Sequence, residues 1–241
     1  SFPQTLEKAL RFTRWDQTLF LTLGFLDEKN TEKFIEQVLE MDLNLAIRAA
    51  KFLEFNRDEV VLRILENIIA KSDSELNDID WIIAELPVTR THIDILRKLT
   101  LRRDFLGAVA FQLLSEIPDA VSKTELIDEI FEHPGDYNYC STLGRLLRNQ
   151  VDESDAVYIK SKLQYVAFES SDKDDEIYVG RSSGIAEALE DLHIKVVVDI
   201  FSPWQELNEA ALETFGTILG DNSSPPALKV CIDMVTNGVQ N

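Results

Sequence analysis

A chain of 241 residues, 45% of them hydrophobic, has enough apolar side chains to bury a substantial core, which excludes wholesale disorder. Its 43 acidic and 24 basic residues give a formal charge of −19, and a field of that sign repels nucleic acid and anionic membrane surfaces. Only 9 glycines and 7 prolines are few for a protein built from hairpin turns, so the composition favours helices over strands. We therefore expect neither nucleic acid nor membrane as a partner.

The cysteine content and the terminal sequence bear on location. Two cysteines, Cys140 and Cys231, are too few for a disulfide framework and indicate a reducing compartment. The first ten residues are polar and charged, unlike a secretory signal, and the longest apolar stretches, such as residues 19–26, are too short to cross a bilayer. These features predict a cytoplasmic protein.

The segment 11–50 contains two amphipathic helical patterns separated by a polar turn at residues 27–30. The apolar positions that recur at i, i+4 and i+7 are Leu19, Leu23 and Leu26 in the first pattern and Phe34, Val38 and Met41 in the second, which Ile35 and Leu39 widen. The turn is short enough to fold one helix back on the other. Because such a hairpin cannot bury both apolar stripes alone, it predicts a neighbouring unit of the same kind.

Pairs of helical patterns with short connections continue along the chain. They are predicted at 45–55 and 58–71, 76–86 and 89–101, 104–117 and 122–132, 139–150 and 154–169, 183–192 and 194–201, then 204–219 and a last helix from 224. In the pair at 45–55 and 58–71, a stripe of Ala46, Ala49, Ala50 and Leu53 faces a stripe of Val61, Ile64, Leu65 and Ile68. Residues 194–201 are rich in β-branched side chains, but no strand partner is apparent, so we predict a helix there. Two start signals are strong: Ser122 with Glu125 forms a capping box, and Ser202-Pro203 combines a cap with a proline at the first helical position.

The first helices of these pairs begin at intervals of roughly thirty residues, a period typical of an α-solenoid. The sequence thus predicts an all-α protein, a right-handed α-α superhelix of about seven helical hairpins. We predict a single domain over residues 1–241, with an acidic loop at 170–176 that interrupts the repeat. A compact helical bundle would show similar stripes and remains the alternative.

Three glycines follow leucine or phenylalanine within these predicted first helices: Gly24, Gly144 and Gly216. Glycine is unfavourable inside a helix by about 1 kcal/mol relative to alanine, so something must compensate for it. We predict that all three occupy equivalent buried positions where a neighbouring helix approaches closely.

The paired units resemble HEAT-type repeats over nearly the whole chain. A narrower stretch is similar to the helical-repeat region C-terminal to the nucleotide-binding core in bacterial, often cyanobacterial, NACHT-type signalling ATPases. The matching residues are Arg14-Trp15, the leucine-rich segment 19–26, Asp42 and Leu45-Ala46. The resemblance implies a sensor or regulatory part of such an NTPase. No glycine-rich loop ending in Gly-Lys-Ser/Thr occurs, so we expect no nucleotide binding by this chain.

No arrangement of residues predicts catalysis, a cofactor or a metal site. The nearest approach to a metal set, His133, Asp136 and Cys140, is more typical of a helix-terminus loop than of closed zinc ligation. The carboxylates at 172–176 lack the glycine and terminal glutamate of a calcium loop and indicate a solvated loop. The segment 180–184, Gly-Arg-Ser-Ser-Gly, is similar in composition to a phosphate-binding loop, but no strand precedes it, and we predict an ordinary loop.

The strongest departure from the acidic background lies between residues 90 and 103. Its basic members are Arg90, His92, Arg97, Lys98, Arg102 and Arg103. Arg90 and Arg97 are seven residues apart and share a face of the predicted helix, and Lys98 and Arg102 are four apart. In HEAT-type families the second helix of each pair lines the concave surface, so this helix would present a positive patch there. The alternative is a solvated face neutralised by nearby carboxylates.

These features predict a non-catalytic binding or scaffold module that recognises a protein or peptide partner. Arg90, Arg97, Lys98 and Arg102 are the predicted binding residues, and their charge favours an acidic partner segment. The alternative function is that of the HEAT-like lyases or chaperones that act on phycobiliproteins and their bilin chromophores. A bilin groove would need converging aromatic side chains, and the available cluster is Tyr137, Tyr139, Tyr158 and Tyr165.

Overall fold

The computed structural model describes residues 18, 20–23, 25–71, 80–165, 175–202, 214–219, 227–230 and 232. Within these residues the regular structure is entirely helical, and no β-strand occurs among them. The β-rich segment that begins at Ile194 is also a helix. The prediction of an all-α protein is confirmed.

The helices carry the labels α1 to α11 in chain order. They are α1 Glu28–Met41, α2 Leu43–Ala50, α3 Arg57–Ala70, α4 Asp80–Ile83, α5 Ile93–Thr100, α6 Phe105–Ser115, α7 Lys123–Glu132, α8 Tyr137–Arg148, α9 Ala156–Tyr165, α10 Asp175–Leu189 and α11 Ile194–Ile200. Short 3-10 turns, Arg90–His92 and Glu153–Asp155, precede α5 and α9. Residues 214–219 and 227–230 are also helical.

Side-chain caps explain where several helices begin. The carboxylates of Asp27, Asp42 and Asp136 each accept the backbone N–H three residues later, at 2.7 to 3.0 Å, and so satisfy a donor that the helix leaves unpaired. Of the predicted capping box at α7, the hydrogen bond from the Glu125 N–H to the Ser122 hydroxyl is present, at 3.1 Å. The bounds 27–30 predicted for the turn are wrong, because the turn lies at residues 25–27, Asp27 is the cap and α1 already begins at Glu28.

The chain divides into two compact units. The first comprises Ser1–Arg102 and Val109–Ala120, and the second comprises Arg103–Ala108 and Val121–Asn241. In the first unit α1 contacts α3 and α3 contacts α5, while α2 contacts α4. In the second unit α7 contacts α9 and α9 contacts α11, while α8 contacts α10. Each unit therefore contains helices that pack in two series of alternate members. The single domain over 1–241 stays a prediction.

The core of the first unit follows the predicted stripes of α2 and α3. Ala46, Ala49 and Ala50 on α2, and Leu53 after it, are at most 1% exposed. The facing stripe of α3 is completely buried, at Val61, Ile64, Leu65 and Ile68. Burial of such side chains stabilises a fold by about 1.5–3 kcal/mol each. The stripe of α1 is less regular, since Val38 is buried whereas Met41 is 38% exposed.

Helix α10 replaces the loop that we predicted at 180–184. It runs unbroken from Asp175 to Leu189, so both Gly180 and Gly184 are helical and the predicted start at Ser183 is wrong. The glycines do not break the helix because α10 packs tightly along α8 at these positions, and tertiary contact compensates for their low helix propensity.

None of the helices in the ranges given above is long and apolar enough to cross a lipid bilayer.

Candidate partner-binding site

The four predicted binding residues do not lie on one helix. Arg90 is in the 3-10 turn that precedes α5, so it is not on the same helix face as Arg97. Arg97 and Lys98 occupy the last turn of α5, and Arg102 follows the end of that helix. Cations in a last turn interact favourably with the partial negative charge of the helix C-terminus.

Arg90 and Arg97 both contact the turn that follows α6. The Arg97 guanidinium is half-buried and donates a hydrogen bond through Nη2 to the carbonyl oxygen of Ala120. Arg90 Nη2 lies 3.4 Å from the carbonyl oxygen of Pro118 and 3.7 Å from the carboxylate of Asp119. Hydrogen bonds from charged donors are the stronger ones, so Arg97 fastens this turn within the first unit. The sequence shows the charge of these residues but not the carbonyl groups that accept from them.

The exposed part of the cluster is narrower than predicted. The Arg90 side chain is 70% exposed despite its contacts, and Lys98 is exposed and makes no ion pair with the described residues. Arg102 is half-buried. The carboxylate on the same helix, Asp94, is exposed and is likewise without an ion pair in the described part of the chain. Arg90 and Lys98 are therefore the members best placed to meet a partner.

His92 is a structural member of this group. Its side chain is completely buried, with Nδ1 2.9 Å from the backbone nitrogen of Thr89 and Nε2 2.8 Å from the carbonyl oxygen of Asp58. Because Nδ1 accepts the backbone N–H, Nε2 carries the proton and donates to Asp58. The Asp58 carboxylate in turn accepts from the Thr89 hydroxyl at 3.1 Å. This network joins the start of α3 to the 3-10 turn before α5.

The candidate metal set is not assembled. His133 is exposed, Asp136 caps α8, and Cys140 is fully buried. Burial raises the pKa of the Cys140 thiol to about 11, and its Sγ donates to the carbonyl oxygen of Gly135 at 3.7 Å. No group of three or more metal-ligating side chains occurs among the described residues. Most of the acidic loop, residues 170–174, lies outside them.

The tyrosines proposed to line a bilin groove have separate surroundings. Tyr139 is buried, its hydroxyl donates to Glu129 at 2.8 Å, and burial with this hydrogen bond raises its pKa. Tyr158 donates to Asp128, and Tyr137 is 51% exposed. The Tyr165 side chain lies outside the described residues. An apolar cavity in this unit, whose lining includes Ile127, Phe131 and Ile159, has a volume of about 10 Å³, the space of roughly one water molecule.

Ion pairs in the second unit join helices far apart in sequence. Lys162 on α9 lies 2.7 Å from Asp128 on α7 and also pairs with Glu132. Arg148 at the end of α8 binds the Asp191 carboxylate through two nitrogens, at 2.7 and 3.0 Å. The sequence did not reveal these pairs, because their members are at least 30 residues apart and share no motif. They use polar side chains to hold neighbouring helices rather than to form an enclosed pocket.

No protein-family model matches this chain, and no curated protein or solved structure shows significant similarity to it.

Proposed function

We propose that the chain is a non-catalytic helical-repeat module that binds a protein or peptide partner, with its hairpins stacked as a right-handed HEAT-like α-solenoid. The observation that carries this proposal is the contact pattern within each unit, in which every second helix packs on the next, α1 on α3 on α5 and α7 on α9 on α11. Stacking of alternate helices is how a solenoid buries a continuous core from short repeats.

The helices of these two series are the second members of the hairpins predicted from the sequence. By the resemblance to HEAT-type repeats, second helices line the surface used for recognition. A row of parallel helices offers an extended polar surface, which suits a segment of a partner better than a small molecule that needs an enclosed pocket. The resemblance of segment 11–50 further supports a sensor or regulatory role beside a NACHT-type NTPase in the cytoplasm.

An acidic partner segment is the ligand that the basic cluster favours. Arg90 and Lys98 are exposed within a chain whose net charge is −19, so an acidic segment is attracted there and repelled elsewhere. Hydrated charges of this kind act mainly on the association rate and on its dependence on salt. Arg97 plays a different part, because its bond to Ala120 stabilises the first unit.

Peptide display on the immobilised chain tests this function. We expect acidic sequences to be enriched on the natural chain and lost on Arg90→Glu/Lys98→Glu, with a melting temperature close to that of the natural chain. A matched control is Lys29→Glu/Lys33→Glu on α1, which makes the same change of charge at two exposed lysines. Enrichment that is equally strong on both variants would show that the cluster does not bind the partner. Absence of any enriched peptide family would argue against a binding module altogether.

A further inference from the structure

Four large apolar side chains are exposed at two neighbouring turns of the first unit or, for Leu21, in the helical stretch that leads into one of them. Leu21 is 68% exposed, Phe25 89%, Phe52 47% and Phe55 45%. Leu21 and Phe25 belong to the segment before α1, whereas Phe52 and Phe55 lie in the turn between α2 and α3. Single exposed apolar side chains are ordinary, but a cluster of aromatic ones is characteristic of an interaction surface.

One aromatic contact brings these two turns together. The rings of Phe20 and Phe52 stack with their centroids 4.8 Å apart and their planes within 5° of parallel. Phe20 is 6% exposed, so this stack anchors its neighbours while leaving part of the Phe52 ring accessible. The surface formed by Leu21, Phe25, Phe52 and Phe55 is called the aromatic edge below.

The helix order also places these turns on one edge. Consecutive helices joined by short turns run in opposite directions, so α1 and α3, which contact each other, run the same way. Phe25 precedes the start of α1, and Phe55 precedes the start of α3. The N-terminal ends of α3 and α5 are likewise adjacent, since Asp58 accepts from Thr89. The aromatic residues therefore lie along the edge that carries these helix starts.

Carboxylates surround the aromatic edge. Asp27, Glu28, Glu54 and Asp58 are exposed, and none of them forms an ion pair with the described residues. The exposed cations beside these turns are Lys29, Lys51 and Arg57. Lys51 pairs with Glu85 at 2.7 Å, and Arg57 directs two nitrogens to the carbonyl oxygen of Leu53 at 2.6 and 3.0 Å. Four carboxylates against three cations, of which Lys51 is already paired, leave the rim of the apolar surface negative on balance.

We propose that the aromatic edge is a docking site for a partner segment that carries large apolar side chains flanked by lysine or arginine. The apolar side chains cover the phenylalanine rings, and the cations meet the carboxylates of the rim. Cations also bind aromatic faces, as Arg48 does over the Phe20 ring at 5.5 Å from its centroid. A second copy of this chain would bring the same carboxylates and a charge of −19, so like charges disfavour self-association here.

This surface is distinct from the basic cluster, and amphipathic peptides test it directly. The probe is a peptide of leucine and lysine in which the leucines recur with the period of a helix. Its affinity, measured by fluorescence anisotropy, is compared with that of a leucine–glutamate peptide and a serine–lysine peptide of the same length. We expect the leucine–lysine peptide to bind best and Phe25→Ser/Phe55→Ser to weaken it by about tenfold or more. The control Leu101→Ser/Val157→Ser removes apolar side chains that are 74% and 79% exposed elsewhere, and it should bind as the natural chain does. Arg90→Glu/Lys98→Glu should also retain this peptide.

Three outcomes would overturn the proposal. Equal affinity of the natural chain and Phe25→Ser/Phe55→Ser would mean that the peptide binds by net charge alone. Stronger binding of the leucine–glutamate peptide would show that the rim does not select cations. A concentration-dependent dimer that sedimentation velocity detects in the natural chain and not in the double variant would identify a second copy as the occupant. Circular dichroism spectra of all variants exclude loss of folding as the cause of any change.

Discussion

Replacement of Gly184 by alanine tests how closely α8 and α10 approach. A Cβ atom on Gly184 would lie 2.6 Å from the carbonyl oxygen of Cys140 and 3.0 Å from its carbonyl carbon, and Gly144 faces Gly184 in the same contact. Backbone atoms cannot rotate away as a side chain does. Because favourable carbon contacts lie at about 3.5–4.0 Å, the two helices must separate by about 1 Å.

The size of the effect follows from two opposing contributions. A gap of about 0.5–1 Å forfeits a quarter to a half of the dispersion energy of the contacts it opens, and overpacking of this kind costs about 1–3 kcal/mol. Alanine gains back about 1 kcal/mol of helix propensity relative to glycine. We expect a net loss of up to about 2 kcal/mol, which lowers the melting temperature by up to about 8 °C in a chain of this size.

Gly216 supplies the control for this experiment. It lies in a helical stretch, it is exposed, and nothing lies within 4 Å of the position of its missing Cβ. Gly216→Ala should therefore stabilise the chain by up to about 1 kcal/mol, a rise of about 2–4 °C. Thermal unfolding followed by circular dichroism measures both variants. If Gly184→Ala raises the melting temperature as Gly216→Ala does, the close approach of α8 and α10 is not a constraint.

Two further predictions rest on the second unit. Burial raises the pKa of Cys140 to about 11, and only the thiolate form of a cysteine reacts. A Cys231→Ser chain, which keeps Cys140, should therefore react with a thiol reagent at about pH 8 only after unfolding. Fast reaction of the folded chain would refute this. Hydrogen bonds to Asp128 and a second carboxylate raise the pKa of Lys162, so its contribution to stability is complete below about pH 10.4, its unfolded value, and is lost as pH rises through the folded pKa. Chemical denaturation at several pH values measures this. The free energy of unfolding should fall less at alkaline pH for Lys162→Met than for the natural chain or for the exposed control Lys195→Met. Equal losses of stability in all three would contradict a role for the ion pairs of Lys162.

The features that could be predicted from the sequence are those that local chemistry decides. The stripe on α3 needs only the helical period, and its four predicted positions are all fully buried. The start of α7 needs only Ser122 and the three residues after it, and the cap is present. The helix that begins at Ile194 was predicted against its local β-rich composition, because no other segment of the chain offers a strand to pair with it.

The features that could not be predicted depend on a second segment far along the chain. The sequence placed Gly144 and Gly216 in one class, but Gly144 lies against Gly184, whereas Gly216 is exposed. Gly24, the third member of that class, lies outside the described residues. The same limit applies to Arg97, whose acceptor is a backbone carbonyl 23 residues away that no side-chain pattern reveals.

The two series of helices in each unit differ in the middle of their contacts. Small residues line the first helices, with Ala46 and Ala49 buried on α2 and Gly144 buried on α8, so backbones can approach closely. Long charged side chains bridge the second helices within their length, Arg63 to Glu36 at 2.9 Å in the first unit and Lys162 to Asp128 in the second. The ion pairs between first helices, Lys51 with Glu85 and Arg148 with Asp191, lie instead at or beyond the helix ends.

This difference bears on where a partner can bind. Where two helix backbones are in contact, no polar side chain lies between them that could bind a partner instead. Separating the helices also forfeits the packing along the whole pair. A half-exposed ion pair contributes about 0–1 kcal/mol, so its members can turn to a partner's charges at little loss of stability. The series of second helices is thus the one on which recognition costs the fold least, and it is the series that carries Lys98 and, in the turn that leads into α5, Arg90.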